Sequence, residues 1–367
     1  MLGSGMNPPD RLVALAGIRR TPGIQYVAVN ARSVALAHTS GAADLASDRS
    51  MKASTTLMAY SMSKTITAAA ALQLLASGRL RLDDPIERYV PTSPYGPNVL
   101  VGHLIAHTSG IPNPIPLRWV HAADAHATFD EDAALATVLQ KHPRLTCAAG
   151  TRYAYSNIGY WLLGKVVERA SGEPLSSYVA DHILRRLEIS PGELGYTVAN
   201  PARHATGYLE KYSFINFLKP FLIDRQLIGG YCGRWLEIRS HYPNGPAFGG
   251  LVGSARAFGA FLQDQLRPHS ALFNDATRAL FFTPQRTTDG RTIAMTLGWH
   301  TGRANGRRFF FKEGGGGGFH CMMRLCPDRA AGTVVMSNAT GFNVAALLDA
   351  IDSTRRRVPH LCCVLGR

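Results

Sequence analysis

Residues 63–77 read Ser-Lys-Thr-Ile-Thr-Ala-Ala-Ala-Ala-Leu-Gln-Leu-Leu-Ala-Ser, and Gly78 follows. Apolar residues at Ile66, 68–72 and 74–76 leave no broad polar stripe, so the spacing predicts a helix buried on most sides and ended by the glycine. Such a helix needs a large core around it. The chain has the material: 367 residues, 46% apolar and 17% charged, against about 25% charged in typical soluble proteins. Disorder and a small stapled scaffold are excluded, and the length allows one large domain or two intermingled ones.

Both ends of the chain read as strands and the middle as helices. Near the start, residues 24–30 and 34–39 are short β-rich runs separated by Ala31-Arg32-Ser33. Near the other end, residues 293–301, 308–312, 319–326 and 333–337 alternate or run apolar, with turn signals at Asn305-Gly306 and Pro327-Asp328, and a helix over 343–354 closes the pattern. Between them, Ile158, Trp161, Leu162, Val166 and Val167 fall at helical spacing ahead of Gly172, and Leu175, Val179, Ile183 and Leu187 repeat every four residues. The expected fold is α+β: one antiparallel sheet made by both chain ends and flanked by helices, with a mostly helical region inserted. Residues 211–248 mix aromatic rings with Gly and Pro and read as an excursion covering a pocket or as ordinary core.

Thirty-nine Lys and Arg against 25 Asp and Glu give a net charge of +14, a surface that draws anions. The basic residues are scattered, and the run Arg355-Arg356-Arg357 has no interleaved aromatics, so nucleic-acid binding is not expected. Six cysteines show neither CxxC nor zinc-ligand spacing and read as free thiols; no metal or organic cofactor is implied. No apolar leader and no membrane-spanning run is visible, and the expected location is cytoplasmic. Oligomeric state does not follow from these features.

The chemistry-bearing residues fall in three short patterns. Ser61-Met62-Ser63-Lys64 opens the buried helix, and spacing of three puts Ser61 and Lys64 on one face. A serine hydroxyl is a weak nucleophile at neutral pH, and a lysine desolvated by an apolar helix loses its proton readily enough to serve as its base. The plain alternative is an N-cap serine and a surface lysine. Tyr155-Ser156-Asn157 precedes the next helix; in an extended segment Tyr155 and Asn157 point the same way. A tyrosine beside a cationic lysine has a lowered pKa and can move protons, and an asparagine amide can orient the lysine and a substrate carbonyl. A buried tyrosine and an asparagine cap are the plain alternative there. Lys312-Glu313-Gly314-Gly315 ends the strand carrying Phe309, Phe310 and Phe311, and glycines there let a substrate lie against the strand edge. A flexible glycine turn is the alternative. Phosphate-loop spacing is absent.

Taken in order, Ser61-x-x-Lys64, Tyr155-x-Asn157 and Lys312-x-Gly314 resemble the serine hydrolases grouped around class C β-lactamases, D-Ala-D-Ala carboxypeptidases and family VIII esterases. The segments 78–85, 107–112 and 249–255 are similar to the same family, and the resemblance covers about residues 23–348. It implies a β-lactamase/transpeptidase-like domain over 23–352, with sheet parts near 23–75 and 245–352 and the helical part near 76–244. Residues 1–22 are then an extension and 353–367 a basic tail. It also implies that Ser61 is acylated, that Lys64 and Tyr155 share the proton work and that Asn157 orients the site. The backbone N–H groups of Ser61 and Gly315 would form the oxyanion hole, with Lys312 as a facing cation. His107, with no GxSxG elbow anywhere, reads as structural.

Many β-lactamases of this family carry Lys-Thr-Gly at the third motif, where this chain has Glu313. A carboxylate facing the site repels a substrate carboxylate by roughly 1–4 kcal/mol at about 4 Å. The expected substrate is therefore a short or medium acyl ester, with a β-lactamase or D-stereospecific peptidase or amidase as the runner-up and a catalytically silent binding protein as the remote alternative. The ester preference holds only if Glu313 faces the site, since alternation on a strand permits it to point away.

Overall fold

The computed structural model describes residues 21–114, 119–213, 216, 223–304 and 306–354. The elements that position the site, in chain order, are strands β1 (Gly23–Asn30), β2 (Val34–Asp44) and β3 (Arg49–Ser50), helices α1 (Ser63–Ala76), α2 (Glu131–Lys141) and α3 (Asn157–Ser171), and helix α4 (Ala255–Leu266). Strand β4 (Val120–Ala122) lies between α1 and α2, and β5 (His241–Pro243) between α3 and α4. Four strands, β6 (His300–Ala304), β7 (Arg307–Gly316), β8 (Phe319–Cys326) and β9 (Ala331–Ser337), then lead into helix α5 (Val344–Thr354).

The main sheet has the order β6-β7-β8-β9-β1-β2-β3, and every pairing in it is antiparallel. Both chain ends meet at its centre, where Ile24 pairs with Ser337 and Asn30 with Ala331. Period-two alternation in β1 feeds two separate cores. Ile24, Tyr26 and Ala28 join Val335, Val344, Leu347 and Leu348 under α5, whereas Val27 and Val29 join the main core on the opposite face with α1 and α4. The result is a sheet between helical layers, the expected class.

Helix α1 lies in the main core, with Ser63 through Leu72 and Leu74 all buried. Two lysines, Lys64 in its first turn and Lys312 on β7, are fully buried. Across the sheet face Gly332 lies against Leu262 of α4 and Val29 of β1, where a Cβ would approach to 3.0–3.1 Å.

Three local expectations are revised. Residues 293–301 were expected as a strand, but only His300 and Thr301 enter β6, because Gly298 takes φ of 120° against Ala68 and Phe281 and a Thr296–Trp299 turn interrupts the run. The stripe from Leu175 to Leu187 is an α-turn, a π-turn over Ala180–Leu184 and a 3-10 turn in succession. Four-residue steps drift about 40° each on an α-helix, and the wider π-turn takes up that drift. The region between residues 76 and 244 also carries a three-stranded antiparallel sheet of Gly207–Glu210, Ile228–Cys232 and Trp235–Ile238, whose short strands, two of them bearing glycine, leave little alternation to read. The rings at Phe214, Phe217 and Phe221, the arginine run 355–357 and Cys362-Cys363 lie outside the described residues. Among the described residues, Cys147, Cys232 and Cys321 are free thiols.

Candidate active site

Tyr60–Met62 form a 3-10 turn that runs directly into α1, so Ser61 stands at the mouth of the helix and Lys64 in its first turn. The Lys64 ammonium position is 2.9 Å from Ser61 Oγ and donates to Asn157 Oδ1 and to the Phe248 carbonyl, each at 2.7 Å. Tyr155 places its hydroxyl 2.7 Å from Ser61 Oγ on the other side. Ser156, between Tyr155 and Asn157, caps α3 by accepting from Gly159 N at 2.9 Å, which leaves its two neighbours to face the serine.

Burial sets the protonation states. It holds Lys64 well below the ordinary lysine range, and the charge of Lys312 pushes it further down. Lys312 is brought to about 7 by burial alone. The hydroxyl of Tyr155 moves the opposite way, raised far above a normal phenol by desolvation. The expected lowering of Tyr155 is thus reversed: desolvation of its own hydroxyl outweighs the nearby lysines, which burial also lowers. With Lys64 neutral, its two N–H bonds are taken by Asn157 Oδ1 and the Phe248 carbonyl, and its lone pair is left for the proton of Ser61.

The third pattern borders the same space from β7. Strand β6 pairs with β7 only as far as Phe311, so residues 312–316 present an open edge beyond it. Lys312 Nζ lies 5.5 Å from the Tyr155 ring centroid and 5.6 Å from that of Tyr160, buried and without a hydrogen-bond partner among the described residues. Gly314 sits against the serine turn: a Cβ there would collide with the Ala59 carbonyl and come within 2.8 Å of Ser61 N. Gly315 is the next residue along that edge. Glu313 does not join the site. Alternation turns it to the other face of the sheet, where its Oε1 accepts from His320 Nε2 at 2.6 Å while His320 Nδ1 donates to the Phe342 carbonyl at 2.5 Å.

Several supporting groups escaped the sequence. The Phe248 carbonyl and the Asn113 side chain, which accepts from Asn157 N at 3.0 Å, carry no local signal in the letters. His107, expected as structural, is buried with its ring 4.3 Å from that of Tyr155, and its Nδ1 accepts from Ser156 N at 3.2 Å. Among the described residues no cluster of three or more His, Cys, Asp or Glu could hold a metal ion, and no helix is long and apolar enough to cross a membrane.

The sequence profile of the family described as Beta-lactamase matches residues 10–354. The chain belongs to this family. It is similar to penicillin-binding protein 4* of Bacillus subtilis, 24% identical over 306 residues that cover 82% of this chain and 64% of that protein. Esterase EstB of Burkholderia gladioli is 30% identical over 213 residues, 52% of this chain and 51% of that one. The chain thus spans less than two thirds of the curated relatives it matches. Among solved structures, the D-amino acid amidase from Ochrobactrum anthropi SV3 complexed with L-phenylalanine amide gives a TM-score of 0.79 at 17% identity, covering 95% of this chain and 98% of that one. The octameric penicillin-binding protein homologue from Pyrococcus abyssi gives 0.75 at 22% identity, covering 98% and 76%. Both likenesses concern the fold.

Proposed function

We propose that this beta-lactamase-family protein hydrolyses acyl substrates, carboxylic esters among them, through an acyl-enzyme on Ser61. The observation that carries the reading is the placement of Ser61 Oγ between Lys64 Nζ at 2.9 Å and the Tyr155 hydroxyl at 2.7 Å, with the lysine held toward its neutral form. Lys64 takes the serine proton as Oγ attacks the acyl carbon. The negative oxygen that develops is received by the backbone N–H groups of Ser61 and Gly315. Tyr155, neutral and hydrogen-bonded to Oγ, hands a proton to the departing alkoxide and regains one from Lys64. Water then attacks the ester of Ser61 by the same groups in reverse and releases the acid.

A second reading is hydrolysis of carboxylate-bearing amides, such as β-lactams or D-amino acid peptides. It is favoured by Glu313 facing His320 rather than the site, which removes the repulsion that argued against such substrates, and by Lys312 Nζ, which has no hydrogen-bond partner among the described residues and is a donor for a carboxylate. Parallel assays of p-nitrophenyl butyrate and nitrocefin with wild type and Ser61→Ala separate the two. Ser61-dependent ester turnover with negligible nitrocefin turnover supports the esterase; efficient nitrocefin turnover moves the amide reading ahead. Turnover of either substrate unchanged in Ser61→Ala refutes both.

A further inference from the structure

Tyr60, the residue before the serine, has φ of 44°, a left-handed conformation that is costly for an aromatic residue and that nothing in its local sequence favours. Its hydroxyl reaches His241 Nε2 at 2.6 Å. His241 is buried, and its Nδ1 lies 2.8 Å from the Arg239 carbonyl, an obligate acceptor. Nδ1 therefore carries the proton, Nε2 is the acceptor, and Tyr60 donates. Burial favours this neutral pairing from both sides, raising Tyr60 and lowering His241. The glycine turn at the end of β7 closes over the bond: a Cβ on Gly317 would collide with the Tyr60 hydroxyl and His241 Nε2, and one on Gly316 would lie 2.9 Å from the Tyr60 ring.

We infer that Tyr60 and His241 are positioning residues for Ser61: the hydrogen bond to β5 holds the strained backbone at Tyr60, and with it the orientation of the serine Oγ and N–H toward the β7 edge. The bond ties the serine turn to β5, and the 316–318 turn packs against it, so three segments distant in sequence meet at one point next to the nucleophile. Reacting groups displaced by about 1 Å can lose roughly 10²-fold in rate, so a device that fixes this turn acts on the chemical step rather than on substrate affinity. The inference rests on the reading of Ser61 as the acylated serine.

The test is the rate at which diethyl p-nitrophenyl phosphate modifies Ser61, a step in which the Oγ–P bond forms, the P–O aryl bond breaks, the serine proton passes to its base and p-nitrophenolate leaves. Tyr60→Phe removes one oxygen and keeps the ring. It should lower the limiting rate constant at least tenfold with half-saturation changed less than twofold and the melting temperature within a few degrees. His241→Leu should match it, His241→Gln, whose amide oxygen can accept, should recover most of the rate, and Tyr60→Phe/His241→Leu should be no slower than either single variant. A Tyr60→Phe rate equal to wild type, a His241→Gln rate as low as His241→Leu, or additive losses in the double variant would overturn the inference while leaving Ser61 as nucleophile. If His241→Leu fails to fold, Tyr60→Phe and His241→Gln decide. Wild type that is not modified at Ser61 overturns both this inference and the reading beneath it.

Discussion

Glu313 Oε1 and His320 Nε2 lie 2.6 Å apart on the face of the sheet turned away from Ser61. Glu313 faces Met322 across the ladder and is flanked by Lys312 and Gly314, both of which face the serine, so parity on one strand decides which charge the site feels. His320 has an acceptor at each ring nitrogen, the Glu313 carboxylate and the Phe342 carbonyl. Glu313 therefore acts on the β8–α5 side and leaves substrate charge alone.

Replacing Glu313 with Gln should accordingly change kcat/KM for p-nitrophenyl butyrate less than threefold and stability by about 0–1 kcal/mol, as for other half-exposed ion pairs. A tenfold or greater gain on a carboxylate-bearing substrate would show that the carboxylate is felt at Ser61 after all. Steady-state kinetics and urea denaturation give both numbers.

Lys312 supplies a pH signature of stability. Its folded pKa is about 7, below the unfolded value of about 10.4, so between those limits the unfolded chain binds a proton that the folded one does not. Stability then rises with pH across that window, with a slope of at most about 1.4 kcal/mol per unit, and is flat with respect to this group below 7. Denaturation midpoints of wild type and Lys312→Met at pH 7, 8 and 9 check it: wild type should gain on the variant at each step. A constant difference would mean that Lys312 keeps its charge in the fold.

The fold and most of the site were legible because they rest on local periodicity. The buried character of 63–77, the alternation of β1 and the spacings Ser61-x-x-Lys64 and Tyr155-x-Asn157 survive without tertiary information, since each is set within one turn or one extended pair. The face taken by Glu313 is not of this kind: it depends on which side of β7 lies against the serine turn, which the close approach of Gly314 to Ala59 fixes. The proton assignment of Tyr155 failed for a related reason, because the apolar helix marks Lys64 as desolvated but nothing in the sequence shows that the tyrosine hydroxyl is dry as well. Backbone acceptors such as the Phe248 carbonyl have no letter at all.

The raised pKa of Tyr155 separates its role from that of Lys64. Tyr155→Phe should lower kcat by about 10²- to 10⁴-fold, the range for a lost proton-transfer group, while the acid limb of kcat/KM keeps its midpoint because the titrating base is still Lys64. A midpoint displaced by a full unit would assign the limb to the tyrosine. A loss below threefold would leave Lys64 to carry every proton alone.

Gly314 tests the contact between the two halves of the site. Its Cα hydrogens face the Ala59 carbonyl and Ser61 N, and both are backbone, so an added methyl cannot be accommodated by a side chain swinging aside. The Cys321 thiol, 3.1 Å from the Ala59 carbonyl and 3.3 Å from that of Gly314, ties the same two segments from below and resists their separation. Gly314→Ala should thus cost about 1–3 kcal/mol of stability, typical of overpacking a filled interior. It should also push the β7 edge away from Ser61, lowering the rate of acylation more than the stability loss alone would, at temperatures where the variant is fully folded. Burst kinetics with p-nitrophenyl butyrate measure that rate directly. Gly192→Ala serves as the control for glycine replacement, since Gly192, like Gly314, lies outside the positive-φ region but nothing lies within 4 Å of its Cβ position. Equal acylation rates in the two variants would mean that the serine turn and the β7 edge can move apart without loss, and that the oxyanion site is not built across this contact.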